Sequence, residues 1–164
     1  MKHIAVIPAR MGSQGLPFKN RMFFDQTTDF IASIDWFDST LVSTDDPVLL
    51  KKAKDRGYQI RKRPDHLSGS KVPIKAVFDD LVEKLEINSQ NVLWLFYIPL
   101  LYRKKSDFEE ARRRIENEHI KSICTFVAAQ THPYNCWRYN ESLKELSQYI
   151  SNDNFRRQDL PPAW

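Results

Sequence analysis

Short apolar runs alternate with amphipathic segments along this chain, and that alternation restricts its fold more than any other feature. Runs with the length of a β-strand occur at residues 4–7, 41–43, 58–61, 92–97 and 122–128. Strands that alternate with helices are typical of a parallel sheet covered by helices. The sequence therefore predicts an α/β fold, in which the most apolar run, residues 92–97, is a central strand buried on both faces.

Local signals predict where several helices begin and end. Asp46 followed by Pro47 is typical of a capped first turn, and Gly57 is a stop signal for the same helix. Residues 106–109, Ser-Asp-Phe-Glu, form a capping box that predicts the start of another helix. Apolar spacing predicts further helices within residues 24–36, from residue 72 onward, and over residues 142–150.

Composition excludes some classes of protein. No apolar run approaches the roughly 18 to 20 residues that cross a bilayer, so we expect no membrane-spanning segment. Cys124 and Cys136 match neither a zinc-ligand spacing nor a disulfide scaffold, which favours a cytoplasmic protein.

The net charge of +4 weakly favours an anionic partner. Seven of the thirteen residues from Lys51 to Arg63 are basic, and such a stripe has two interpretations. It could follow the phosphates of a nucleic acid, or it could be a solvated helix face. We favour the solvated face, and a nucleic-acid partner is not expected.

The sharpest chemical signal follows the first predicted strand. Within eleven residues the chain carries Arg10, Gly12, Ser13, Gly15, Lys19 and Asn20. Glycines let backbone amides approach an anion, a hydroxyl donates to it, and Arg and Lys neutralise phosphate charge. Ligands of open α/β sheets bind beyond the carboxyl ends of the strands, where this loop is expected. The loop matches neither a Walker motif nor a dinucleotide-binding turn, and an ordinary surface loop remains an alternative.

The sequence of residues 7–20 is Ile-Pro-Ala-Arg-Met-Gly-Ser-Gln-Gly-Leu-Pro-Phe-Lys-Asn. This segment resembles the nucleotide loop of the acylneuraminate cytidylyltransferases. Four further blocks of this family's pattern follow in order, at residues 42–46, 63–67, 132–138 and 156–162. The resemblance implies a Rossmann-like nucleotide-sugar transferase fold, with a mostly parallel sheet, over a single domain of residues 1–164. It also implies a magnesium-dependent transfer of CMP from CTP to a nonulosonic-type sugar acid, with release of pyrophosphate.

The resemblance also implies a role for each matching residue. Arg10 and Lys19 would clamp the phosphates and act as catalytic residues, while Arg63 would lie near the nucleotide. Arg156 and Gln158 would reach the sugar acid, and residues 130–160 would form an excursion from the sheet through which the protein is a homodimer. The remaining nucleotide-binding residues would be Gly12, Ser13, Gly15 and Asn20.

Departures from the family pattern leave alternatives open. Gln14 replaces a family lysine, and the apolar residues 95–103 replace a block of polar contacts. The family's late Asp-x-Asp, which binds Mg²⁺, has no counterpart, so we expect a shortened member or a fragment and identify no metal ligands. Asp45 and Asp46 form the only carboxylate pair on the expected ligand face, and Asp46 is better explained as a helix cap. The alternatives are a catalytically impaired or truncated nucleotide-binding relic and, less favoured, a basic module that binds RNA or phosphate.

Overall fold

The structure, a computed structural model, describes residues 1–12, 15–118, 120–125 and 132–150. The chain divides into two compact units, Met1–His119 and Ile120–Trp164. That the whole chain acts as one cytidylyltransferase-like domain stays a prediction.

The first unit contains a four-stranded parallel sheet in the order β3-β2-β1-β4. In this register Ile7 lies opposite Val42, and Ala5 lies opposite Trp94. The strands are β1 (Lys2–Pro8), β2 (Ser39–Thr44), β3 (Gln59–Lys62) and β4 (Asn91–Leu95). The helices are α1 (Lys19–Ala32), α2 (Pro47–Asp55), α3 (Ile74–Lys84) and α4 (Lys105–Asn117). The predicted α/β fold with a parallel sheet and flanking helices is confirmed.

The side chains of β1 alternate between two apolar cores because successive residues of a strand point to opposite faces. Ala5 and Ile7 pack with residues of α1 and α2, among them the fully buried Phe24 and Leu49. On the other face, Ile4, Val6 and Leu41 pack with Val77 and Leu81 of α3. The sheet is therefore the middle layer between helices.

Helix α2 begins as its sequence predicts. Asp46 is its N-cap, with Oδ1 accepting a hydrogen bond of 2.9 Å from the backbone amide of Val48, and Pro47 is its first residue. Gly57 follows the helix with a φ of 71°, a left-handed conformation that costs glycine little.

Helix α1 starts five residues earlier than residue 24, and the prediction for this helix is corrected. Its buried face includes polar residues, Asn20, Thr27 and Thr28, which an apolar pattern does not reveal. The hydroxyl of Thr28 donates to the carbonyl of Phe24 at 3.1 Å, and that of Thr27 donates to Ile98 at 3.3 Å. These hydrogen bonds satisfy the buried hydroxyls.

The predicted capping box at residues 106–109 is also wrong. Lys104 is the N-cap of α4 and has no side-chain hydrogen bond to the helix, so Ser106 and Glu109 lie inside the helix. Glu109 faces Lys105 instead, at 3.9 Å.

Strand β4 is not the central strand that its apolar sequence predicts. Within the described part of the chain it pairs only with β1 and lies at one edge of the sheet. Its first four residues are half-buried and Leu95 is exposed. An apolar run alone does not show whether a second strand lies beside it.

The second unit contains an antiparallel hairpin, β5 (Trp137–Asn140) and β6 (Glu145–Gln148). The helix predicted over residues 142–150 is therefore wrong. Asn140 accepts hydrogen bonds of 3.1 Å through its side-chain oxygen from the amides of Ser142 and Leu143, which fixes a turn inside the proposed helix. Residues 122–125 form no strand, and residues 126–128 of the predicted strand lie outside the described ranges.

No helix among the described residues is long and apolar enough to cross a membrane. The cytoplasmic location stays a prediction.

We predict that the ion pair between β3 and α3 stabilises the first unit. Arg61 donates two hydrogen bonds to Asp80, at 2.7 and 2.9 Å, and they hold the pKa of Asp80 below its ordinary value of 3.8. A lowered carboxyl pKa contributes stability above the ordinary value that is lost as pH falls through the lowered one. Asp80→Asn is expected to reduce the free energy of unfolding by about 1 kcal/mol at pH 7, measured by urea denaturation.

The difference in the free energy of unfolding between the wild type and Asp80→Asn should shrink as the pH falls below about 4, because protonation of Asp80 removes the same charge from the wild type. Asp79→Asn is the control, since Asp79 pairs with Lys75 on the exposed side of α3. Equal effects of the two substitutions at pH 7 would contradict the prediction.

Candidate functional site

Four hydrogen bonds fix the backbone of the loop after β1 at the carboxyl edge of the sheet. The amide of Ala9 donates to Ser43 at 2.8 Å, and its carbonyl accepts a hydrogen bond from the hydroxyl of Thr44. The amide of Met11 donates to Asp45 Oδ1 at 2.7 Å. The side-chain amide of Asn20 donates to the carbonyl of Arg10 at 2.8 Å. The end of β2 and the start of α1 therefore hold Arg10 in place.

Helix α1 begins beside this loop with no compensating negative charge. Lys19 is its first residue, its first turn contains no acidic residue, and its N-cap, Phe18, makes no side-chain hydrogen bond to the helix. Phe18 has a φ of 55°, which is strained for a residue other than glycine. The helix dipole and the charge of Lys19 together favour an anion at this end.

Arg63, in the segment after β3, is a buried cation. The residue is 5% exposed, and the hydrogen bonds of its guanidinium within the described residues go to the hydroxyl and carbonyl of Ser43, at 3.3 and 3.0 Å. Burial lowers the pKa of Arg63, the charge of Asp45 opposes this effect and that of Arg10 adds to it. Because an arginine keeps its charge even so, an anion near Arg63 would compensate a desolvated cation.

A pocket of about 230 Å³ at the carboxyl edge brings four of the predicted site residues together. They are Arg10, Lys19, Asn20 and Arg63. The cations come from three separate segments of the chain, and they can neutralise several charges of one polyanion, which is the chemistry of phosphate binding.

The other predicted site residues are not placed in this pocket. Gly12 accepts a hydrogen bond from the guanidinium of Arg10, but neither Gly12 nor Gly15 lines the pocket. Ser13, Arg156 and Gln158 lie outside the described residues, so their roles stay predictions.

The described residues do not provide a ligand set for the expected Mg²⁺. No three His, Cys, Asp or Glu residues come together in this part of the chain. The two carboxylates that follow β2 have protein partners: Asp45 accepts from Met11, and Asp46 accepts from Val48 and from Arg21 Nε at 2.7 Å. Asp46 is a helix cap, as its sequence predicts.

The apolar part of the pocket includes Tyr97 and Pro99, which follow β4. The rule for the carboxyl ends of strands already indicates the loop after residues 92–97 as a place for a ligand site, but the sequence shows residues 95–103 only as a replacement for the family's polar block and names neither residue as part of the site. The remaining lining residues come from β1, α3 and the segment before α3, and are Pro8, Leu67, Gly69, Val72, Ile74 and Val77.

The fold and the pocket define a class: an α/β fold with a parallel sheet and a cationic pocket at its carboxyl edge. A similar solved structure is that of CMP:2-keto-3-deoxy-manno-octonic acid synthetase complexed with CTP, with a TM-score of 0.51 and 21% identity. The similarity covers 73% of this chain and 49% of that chain, and it supports the fold.

Curated relatives agree with this class. The N-acylneuraminate cytidylyltransferases of Streptococcus agalactiae serotypes V and III are each 28% identical to this chain over 172 aligned positions, which include the whole of it. The chain is a homologue of these cytidylyltransferases, as the resemblance of its motifs indicates. It spans 41% of the length of either relative. No protein-family model matches the sequence.

We predict that Asp45 supports the loop through its hydrogen bond to Met11. Asp45→Ala removes the acceptor and is expected to weaken the binding of inorganic triphosphate, a probe for the cationic pocket, about tenfold, since one hydrogen bond to a charged group contributes about 1.5 kcal/mol or more. Asp45→Asn keeps an acceptor oxygen and should retain most of the affinity. Isothermal titration calorimetry measures the affinity of both variants. A larger loss of affinity in Asp45→Asn than in Asp45→Ala would contradict the anchoring role.

Proposed function

We propose that this chain binds CTP and transfers CMP to a nonulosonic-type sugar acid, releasing pyrophosphate. The observation that carries the proposal is the convergence of Arg10, Lys19 and Arg63 on one pocket at the carboxyl edge of the sheet. The names of the homologous proteins supply the type of nucleotide and the type of acceptor.

In this proposal the cations have separate tasks. Arg10 and Lys19 bind the phosphates and offset the negative charge that grows on the departing pyrophosphate. Arg63 is held by Ser43 before the ligand arrives, so little reorganisation is needed when the nucleotide binds. The first turn of α1 adds backbone amides that can donate to a phosphate oxygen. Arg156 and Gln158 remain candidates for contact with the sugar acid.

A second candidate is nucleotide binding without turnover. It is favoured by the hydrogen bonds that already engage Asp45 and Asp46, because no metal cluster is found elsewhere among the described side chains. The choice between the two candidates depends on turnover.

The RNA-binding alternative has less support. Four cations of the stripe from Lys51 to Arg63 are paired with carboxylates: Lys51 with Asp55, Lys52 with Asp25, Arg56 with Asp29 and Arg61 with Asp80. A fifth, Arg63, is buried. Paired and buried cations offer little charge to a phosphate backbone.

We predict that Arg63 is required for nucleotide binding. Arg63→Met is expected to weaken CTP binding by at least about tenfold, because the variant loses a charged donor to the ligand. Arg63→Lys retains the charge but not the guanidinium geometry, and should bind with intermediate affinity. Calorimetry measures binding, and release of pyrophosphate from CTP in the presence of N-acetylneuraminate measures transfer.

Lys62→Met is the matched control, since Lys62 is the exposed neighbour of Arg63 and does not line the pocket. It should bind CTP like the wild type. Binding of CTP by the wild type without pyrophosphate release would favour the second candidate, and no binding of CTP would reject both candidates.

The hairpin supports a proposal for assembly, that the chain forms a homodimer through residues 130–160. Trp137, Tyr139 and Leu146 lie on one face of the hairpin, because Tyr139 pairs with Leu146 in the antiparallel register. All three are more than half exposed, at 58%, 57% and 66%. An apolar face of this kind is typical of an interface.

Leu146→Glu places a charge on that face and is expected to weaken dimerisation at least about tenfold, since a buried charge without a partner is costly. Sedimentation velocity over a range of protein concentrations measures the change. Ser147→Glu, on the opposite face of β6, is the control and should leave the dimer intact. A wild type that is monomeric at all concentrations would contradict the proposal.

A further inference from the structure

Tyr97 brings an uncharged hydrogen-bonding group to the cationic pocket, from the segment that follows β4. The residue lines the pocket and is 41% exposed. Its hydroxyl makes no hydrogen bond to the residues that the structure describes. Because a tyrosine hydroxyl carries one donor hydrogen, this donor is available to a ligand of the pocket.

The backbone on both sides of Tyr97 is fixed. The amide of Phe96 donates to the carbonyl of Val6 in β1 at 2.8 Å, and the carbonyl of Ile98 accepts from the hydroxyl of Thr27 at 3.3 Å. The side chains of Phe96 and Ile98 are both buried in the core that includes α1. Tyr97, between them, lines the pocket together with residues of α3. Its side chain therefore lies on the side of the pocket and not in that core.

Arg103 holds the carbonyl of Tyr97. Its Nη2 donates to this oxygen at 2.6 Å, and the amide of Leu100 donates to the same oxygen at 3.0 Å. The guanidinium lies 5.8 Å from the ring centre of Phe30 and 5.5 Å from that of Phe96, within the range of a cation–π contact. Burial lowers the pKa of Arg103, but an arginine keeps its charge even so. Arg103 therefore ties the segment after β4 to the aromatic side chains of the core.

The size and charge of the pocket indicate which part of a ligand meets Tyr97. Its volume of about 230 Å³ is below the roughly 300 Å³ at which pockets begin to enclose a whole drug-sized ligand. Its charged lining side chains, Arg10, Lys19 and Arg63, are all positive. A small pocket of this charge suits a phosphate chain, whose oxygens accept hydrogen bonds from a hydroxyl.

We propose that Tyr97 donates a hydrogen bond to the phosphate chain of the bound ligand, and that Arg103 positions Tyr97 for this contact. The inference rests on the proposed binding of a triphosphate in this pocket and adds an uncharged donor to the lining cations. A hydroxyl donor contributes direction as well as affinity, because a hydrogen bond weakens steeply when it is misaligned.

Titration calorimetry of the full chain with inorganic triphosphate tests the contact. Tyr97→Phe removes the hydroxyl and keeps the ring. It is expected to weaken binding about tenfold, since it removes a hydrogen bond to a charged group, while the melting temperature of the free protein stays unchanged. Tyr102→Phe is the matched control, because Tyr102 is 87% exposed and does not line the pocket, and it should bind like the wild type.

Three outcomes would overturn the contact. A change of less than about twofold in Tyr97→Phe, for inorganic triphosphate and for CTP, would overturn it and leave the proposed function in place. A loss of affinity for CTP alone would also overturn it, because the hydroxyl would then contact the nucleoside. Failure of the wild type to bind either compound would overturn it together with the proposed function.

A double-mutant cycle separates positioning by Arg103 from general stabilisation of the fold. Arg103→Met is expected to weaken the binding of inorganic triphosphate about fivefold in the wild-type background and much less in Tyr97→Phe, which lacks the hydroxyl to be positioned. Arg103→Lys keeps a charged donor for the Tyr97 carbonyl and should restore most of the affinity. Equal losses in the two backgrounds, or no rescue by lysine, would overturn the positioning role.

Discussion

Parallel pairing of β1, β2 and β3 is the constraint on which the candidate site depends. Parallel strands end at the same edge of a sheet, so the residues that follow them meet there even though they are far apart in sequence. Arg10 follows β1, Asp45 follows β2 and Arg63 follows β3. The apolar side chains of β1, buried on both faces, fix this arrangement, because a shift in register would move them out of the two cores.

The electrostatics of this edge favour an anion. Desolvating the guanidinium of Arg63 costs free energy, and the dipoles of the Ser43 hydroxyl and carbonyl compensate part of that cost. Asp45 attracts Arg63 while it also accepts the hydrogen bond from Met11. The carboxylate of Asp45 thus stabilises both the loop and the nearby cation. The charged side chains that line the pocket are all positive. Such preorganisation lowers the cost of binding a phosphate chain.

Under the proposed function, the pocket at the carboxyl edge accounts for nucleotide binding but not for the transfer reaction. In the proposed function, nucleotide binding depends on the cations of the pocket, and these belong to the first unit. Transfer to an acceptor needs further groups, and the residues expected to supply them, Arg156 and Gln158, come from the region of the chain beyond the sheet. The cationic pocket thus lies within a chain that spans 41% of its relatives' length.

The sequence by itself determined the alternation of strands and helices, the Asp46 cap of α2 and the cationic loop after β1. These features depend on local periodicity and backbone chemistry, which neighbouring residues specify. The hairpin was mispredicted because apolar spacing at Leu143, Leu146 and Ile150 resembles a helix, whereas the turn held by the Asn140 side chain decides the structure.

Tertiary structure decided what each arginine near the end of β3 does. Arg61 and Arg63 are two residues apart and local periodicity does not distinguish them, yet Arg61 pairs with Asp80 and Arg63 is buried against Ser43. Likewise, the edge position of β4 and the buried hydroxyls of α1 depend on which elements pack beside them. Partners distant along the chain set the charge balance and burial of a side chain, and only the folded sheet brings those partners together.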